Sequence, residues 1–154
     1  MSVLLSVNPP HAGKLVDGIK TVELRKNLLP KGKTYIYETI RGGGQGMVIG
    51  EVEFVGMIAN EPWRVPDFIL EGACVDRAFV LKYADWQPIF ANFCVNSKRY
   101  EKPIPLTKFK RLNRSEENAP CAHAKALYEP CETCRACNLT RPPQAWCYVE
   151  ELKK

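Results

Sequence analysis

Short runs in which apolar and polar residues alternate recur along the first two thirds of the chain, and they predict β-strands. In the first run Val3, Leu5 and Val7 share one face, because successive side chains of a strand point to opposite faces. Further strand-like runs lie at residues 21–25, 34–39, 47–58 and 89–95, and an extended edge is expected at 99–106. The glycine run at 42–46 predicts a hairpin loop between two of these strands.

Two segments between these runs have apolar residues at helical spacing. One follows Pro9-Pro10 and continues to Ile19, since proline suits the first turn of a helix. The other runs from Asp76, a residue suited to a helix cap, to Ala84. Its core-facing residues are predicted to be Phe79, Val80 and Tyr83. Five or six short strands with two or three short helices predict a small α+β barrel.

The composition is that of an ordinary globular protein, with 45% hydrophobic and 25% charged residues in 154. The first ten residues lack the basic start and the apolar run of a signal peptide. No stretch approaches the roughly 20 apolar residues that a membrane span requires. We therefore expect a cytoplasmic protein with no membrane partner.

Positive charge is concentrated in one segment, residues 98–114. The chain as a whole carries a net charge of +5, and this segment alone carries +6 because Glu101 is its single acid. Its basic residues are Lys98, Arg99, Lys102, Lys108, Lys110, Arg111 and Arg114. Such a stripe attracts polyanions, and a plain solvated surface is the alternative interpretation.

Cysteines are concentrated in the last part of the chain, since five of the seven lie after residue 120. Cys131, Cys134 and Cys137 form a double C-x-x-C run, which places thiolates at the spacing that a tetrahedral ion requires. Cys121 or Cys147 would complete a four-thiolate zinc site. An iron–sulfur cluster and unliganded thiols remain the alternatives.

This asymmetry predicts two units along the chain. The first is a domain at residues 1–112, and the second is a cysteine-rich, zinc-binding tail at residues 113–154. The tail is expected to pack on the barrel, because Trp146, Tyr148 and Val149 would otherwise be exposed.

One short segment of the first domain carries three charged residues that could form a ligand-binding site. The segment is Gly18-Ile19-Lys20-Thr21-Val22-Glu23-Leu24-Arg25. Glu23 and Arg25 share a strand face about 7 Å apart, and Lys20 leads into that strand. An ammonium, a carboxylate and a guanidinium that converge can grip the edge of a nucleobase. An ordinary surface ion pair is the simpler alternative. His11, after the two prolines, is a candidate for the same cleft or for the surface.

The segment resembles the G-x-K-x-x-E-x-R signature of ASCH domains, which belong to the PUA-like superfamily. The first strand and Pro-Pro helix, residues 48–52 and residues 100–106 resemble their family counterparts in order and spacing. The likeness covers residues 1–112, and residues 141–146 resemble members found in phage and prophage genomes.

The resemblance implies a small PUA-like β-barrel that binds single-stranded RNA or a nucleoside. Lys20, Glu23 and Arg25 would then bind the ligand, with Lys108 and Lys110 guiding phosphates. It also implies an alternative, a hydrolase that acts on N4-acylated cytidine or on RNA through Lys20 and Glu23. The amidohydrolase of the superfamily has a nucleophilic threonine where this chain has Glu23, so its mechanism does not carry over directly.

Overall fold

The computed structural model describes residues 1–112 and 138–153, which form one mixed sheet with helices packed on it. The strands are β1 (Ser2–Val7), β2 (Val22–Arg25), β3 (Gly32–Glu38), β4 (Met47–Asn60), β5 (Ile89–Ile104) and β6 (Trp146–Val149). The helices are α1 (His11–Val16), α2 (Asp67–Ala73) and α3 (Arg77–Ala84), with single 3₁₀ turns at Pro62–Arg64 and Leu106–Lys108. The α+β class predicted from the sequence is confirmed.

The six strands lie in the order β2-β5-β4-β3-β1-β6. β1 pairs with β3 in parallel, and each of the other neighbouring pairs is antiparallel. The residues around Trp146 form β6, which adds to the sheet beside β1. This end of the chain is therefore part of the same sheet as the first strand.

The sheet is strongly curved but does not close, so the predicted barrel is replaced by an open sheet. In the described part of the chain, β2 pairs only with β5 and β6 only with β1. Three register shifts along the β4–β5 pair bend the sheet, because bulges increase the local twist. The gap is bridged by a side chain: Nη2 of Arg25 in β2 donates to the Ser6 carbonyl in β1 at 2.6 Å.

Apolar side chains form a core on both faces of the sheet. Leu5 packs with α1 on one face and Leu4 with Phe109 on the other, as expected of successive residues in a strand. A third cluster joins α2 and α3 to β2 and the start of β5, with Ile69 and Val80 fully buried. This third cluster holds the helices beside β2, which carries Glu23.

Both helices predicted from the sequence are present, and a third was missed. Asp76 caps α3 as expected, accepting a hydrogen bond from the Phe79 amide at 2.7 Å. The helix after Pro9-Pro10 ends at Val16, so Ile19 lies beyond it and is 63% exposed. The seven residues of α2 follow Pro66 in a segment for which the sequence predicted no element. The run at 89–95 and the edge at 99–106 are largely one strand of 16 residues.

The residues on either side of segment 113–137 lie together, next to β6. Lys110 forms a β-bridge with Asn138, and the Leu139 amide donates to the Phe109 carbonyl at 3.0 Å. The Leu112 amide donates to the Tyr148 carbonyl at 3.0 Å. The chain therefore enters and leaves segment 113–137 at neighbouring points.

Gly50 in β4 provides a test of this packing. A Cβ at this position would lie 2.3 Å from the Lys98 carbonyl oxygen and 2.7 Å from Cγ1 of Val16. Gly50→Ala should therefore lower the free energy of unfolding in urea by about 1–3 kcal/mol. Gly56→Ala on the same strand is the control, because nothing lies within 4 Å of the added methyl group. It should leave stability unchanged or raise it by about 0.5 kcal/mol, and an equal loss in both variants would contradict the close packing of β4 against β5 and α1.

Candidate functional site

The backbone around Lys20 is fixed by contacts with two helices, α1 and α2. Gly18 has a φ of 72° and ends the turn after α1, a conformation that favours glycine. The Lys20 amide donates to the Lys14 carbonyl at 2.9 Å, and the Thr21 amide donates to the Gly72 carbonyl at 2.9 Å. The chain therefore enters β2 in a defined direction, which sets where the Lys20 and Glu23 side chains lie.

Lys20, Glu23 and Arg25 converge as the sequence predicts. Nζ of Lys20 lies 2.6 Å from Oε2 of Glu23, and Nε of Arg25 donates to Oε1 of Glu23 at 2.9 Å. The Lys20 and Glu23 side chains are each 5% exposed and that of Arg25 is 18% exposed. The three residues, called the charged trio below, thus form a desolvated network rather than a surface pair.

The electrostatics of the charged trio keep Glu23 ionised. Burial alone raises the pKa of this carboxyl, but the charges and hydrogen bonds of Lys20 and Arg25 outweigh burial and lower the pKa below its usual value. Since both carboxylate oxygens contact cations, Glu23 is a weak proton acceptor at neutral pH.

The charged trio lines a cleft of about 400 Å³, which is within the size range of small-ligand sites. The cleft lies where the curved sheet brings β2 towards the end of β1, and α1 and α3 contribute to its walls. Asn8, Thr39 and Gln144 supply uncharged polar groups to its lining. The cleft therefore combines ionic, polar and aromatic surfaces.

One wall of the cleft is made of rings from α1 and α3. The Phe79 ring is nearly parallel to that of Tyr83, with an interplanar angle of 7° and centroids 6.0 Å apart, and His11 lies 5.9 Å from Phe79. Nζ of Lys26 lies 5.5 Å from the centre of the Tyr83 ring. His11, Phe79 and Tyr83 are called the aromatic wall below.

His11 is the titratable member of the aromatic wall. Burial, followed by the charge of Lys20, lowers its pKa from the usual 6.5, so the imidazole is neutral at pH 7. Its Nδ1 is buried and has no hydrogen-bond partner in the described residues. Of the two positions that the sequence left open for His11, the structure shows the one in the cleft.

The other residues singled out from the sequence lie elsewhere. Lys108 and Lys110 flank Phe109, whose ring packs against Tyr35, and neither lysine lines the cleft. Cys147 is buried in β6, and burial raises the pKa of its thiol to about 11. Cys121, Cys131, Cys134 and Cys137 lie outside the described residues. In residues 1–112 and 138–153, no group of three or more His, Cys, Asp or Glu side chains could hold a metal ion.

Sequence reasoning assigned Phe79 and Tyr83 to the core. Tyr83 does pack against the third core cluster and also lines the cleft, whereas Phe79 lines the cleft only. Val80 is fully buried, but Phe79 is 44% exposed. A four-residue spacing places Phe79 and Tyr83 on one face of α3, and Val80 and Ala84 on the adjacent face. The sequence shows both stripes of α3, the aromatic one and the one of small aliphatic residues. It does not show which of the two stripes packs against the sheet.

The fold of this chain is similar to that of crystal structures of another protein. No protein-family model and no curated protein matches this chain. The ASCH protein from Zymomonas mobilis matches with a TM-score of 0.67 at 18% sequence identity, over 97% of this chain and 88% of that one. The chain has the ASCH fold. Two crystal structures of single-substitution variants of the same protein match with TM-scores of 0.63, at 18% and 16% identity. They cover 97% of this chain and 89% and 91% of theirs.

In this chain the charged trio and the aromatic wall line one cleft. No helix in the part of the chain that the structure describes has the length and apolar character to cross a membrane.

Glu23→Gln should destabilise the protein in a pH-dependent way. The substitution leaves two buried cations without their counter-charge, so at pH 7 it should cost about 3 kcal/mol or more of unfolding free energy. The folded-state pKa of Glu23 is below the ordinary 4.5. The stability that Glu23 contributes is therefore complete above that value and is lost as pH falls through the folded-state pKa.

Urea unfolding at pH 7 and at pH 3 checks this expectation, because the wild-type and variant curves should approach one another in acid. Glu71→Gln is the matched control, since Glu71 is exposed on α2, and it should change stability by less than about 0.5 kcal/mol. A Glu23→Gln variant as stable as wild type at pH 7 would contradict the buried ion pairs.

Proposed function

We propose that the protein binds RNA or a nucleoside in this cleft, as a divergent member of the ASCH family of the type found in phages. The observation that carries the proposal is that the charged trio and the aromatic wall line the same cleft. A nucleobase has a flat face and a polar edge, and the cleft offers a complementary surface for each.

The aromatic wall is the surface for the base face. Phe79 is half-exposed and Tyr83 partly so, although both are large rings. Stacking of a base on an aromatic side chain contributes about 1–3 kcal/mol and tolerates different bases. The wall therefore supplies affinity for single-stranded RNA or a nucleoside, and it needs a base that is not already stacked in a duplex.

The polar groups of the cleft are the surface for the base edge. Lys20 and Arg25 donate hydrogen bonds, while Asn8 and Gln144 have both donors and acceptors. Glu23 holds the two cations in place at 2.6 and 2.9 Å. The edge contacts are thus preorganised by the charged trio, which reduces the ordering that binding requires.

The hydrolase alternative is less well supported by this geometry. Glu23 contacts a cation through each oxygen, and its pKa is lowered, whereas a general base at neutral pH needs a pKa near 7. Thr21, the nearest hydroxyl in the motif, lies against α2 beside Gly72 and does not line the cleft. We therefore favour a binding function over nucleoside amidohydrolase or ribonuclease activity.

Loss of a ring from the aromatic wall should weaken RNA binding. Phe79→Leu or Tyr83→Leu removes the stacking surface but keeps an apolar side chain, so affinity for a labelled single-stranded RNA should fall roughly 5- to 100-fold. Fluorescence anisotropy measures the change. Phe68→Leu on α2 is the control, because Phe68 is 59% exposed and does not line the cleft.

Replacing Lys108 and Lys110 by Ala serves as a contrasting variant, since we propose that they contact phosphates outside the cleft. The pair should reduce the salt dependence of binding without removing base stacking. Wild-type protein that binds neither RNA nor any nucleoside at low salt would refute the proposed function.

The cysteine-rich segment supports a separate proposal, a structural zinc site formed by Cys121, Cys131, Cys134 and Cys137. The spacing of the last three carries this proposal. Cys147 is the weaker candidate for the fourth ligand, because it is packed among Leu4, Tyr35 and Val149 and is 4% exposed.

Protein purified without added metal should contain about one zinc ion per chain by elemental analysis. Replacing Cys131 and Cys134 by Ser should abolish the zinc content, whereas Cys147→Ala should retain it. Iron with absorbance in the visible range would replace zinc by a cluster, and metal-free protein would reject both.

A further inference from the structure

The charged side chains that line the cleft do not sum to zero. Among the described residues that line it, Lys20, Glu23 and Arg25 are the charged ones, and they sum to one positive charge. His11 adds none at pH 7, because its imidazole is neutral there. The remaining lining side chains are uncharged, so a single positive charge is left in a largely desolvated site.

An unbalanced buried charge is unfavourable unless a partner of opposite sign completes it. The protein keeps Lys20 at 4% exposure although Glu23 can neutralise only one of the two cations. Arg25 uses Nε for Glu23 and Nη2 for the Ser6 carbonyl, which leaves further donors on Arg25 and on Lys20 for a ligand. The site is therefore built to receive one negative charge.

We propose that this charge is a phosphodiester group, so that the cleft takes a nucleotide within an RNA chain rather than a free nucleoside. The proposal rests on the proposed function and narrows its ligand class. A phosphodiester carries one negative charge, which balances the cleft. In this binding mode Lys20 and Arg25 donate to the phosphodiester oxygens, and Asn8 and Gln144 are left to contact the base edge. A neighbouring base stacks on Phe79 and Tyr83.

The test compares two dinucleotides of the same sequence, one with a phosphodiester linkage and one with a neutral methylphosphonate linkage. These ligands have the same bases and nearly the same shape, so their difference in affinity reports the charge. The wild-type protein should bind the phosphodiester about 10- to 100-fold more tightly by calorimetry. Equal affinity for the two would overturn the inference while leaving base binding intact.

Variants test whether the preference for the phosphodiester dinucleotide arises in the cleft. Lys20→Met leaves Glu23 and Arg25 as a neutral pair, so the preference should fall below about threefold. Lys82→Met on the exposed side of α3 is the control for a lost surface charge and should keep the full preference.

The two proposals fail in different ways. If neither dinucleotide and no nucleoside binds, the proposed function is wrong. If both dinucleotides bind equally, or if Lys20→Met retains the preference, the phosphodiester assignment is wrong. Because the comparison of the two dinucleotides uses wild-type protein, it remains decisive even if Lys20→Met fails to fold.

Discussion

The carboxylate of Glu23 holds together the charged residues of the cleft and, through Arg25, supports the contact between β2 and β1. It holds Lys20 on one oxygen and Arg25 on the other. Arg25 in turn reaches the Ser6 carbonyl and so connects β2 to β1. Removing a buried carboxylate from between two cations leaves both without a counter-charge, which is strongly destabilising. The same contact therefore organises the binding surface and bridges the gap in the sheet.

The open sheet explains why a cleft exists at this position. The register shifts between β4 and β5 bend the sheet until β2 approaches β1. Backbone hydrogen bonds between those strands would close a barrel and fill the space with main chain. Side chains bridge the gap instead, and they leave a cavity in which donors and rings are accessible to a ligand.

Local sequence patterns predicted the parts of the structure that local interactions determine. Alternation of side chains placed Glu23 and Arg25 on one face, and the capping role of Asp76 follows from its position before an amphipathic run. The depth of the charged trio was not predictable from that pattern, because burial of Lys20 depends on the curvature of distant strands. For the same reason the sequence assigned Phe79 to the core, although it lines the cleft.

The two points at which segment 113–137 joins the described structure are neighbours, and this affects which sequence changes the fold tolerates. Lys110 and Asn138 are bridged, so the segment starts and finishes at adjacent points of a structure that is already held together around it. Lengthening a loop with fixed ends costs only about 0.6 kcal/mol for each doubling of its length. Such an attachment point tolerates insertion, replacement or loss of sequence. A change in the sequence between these two points is therefore expected to leave the sheet and its cleft in place.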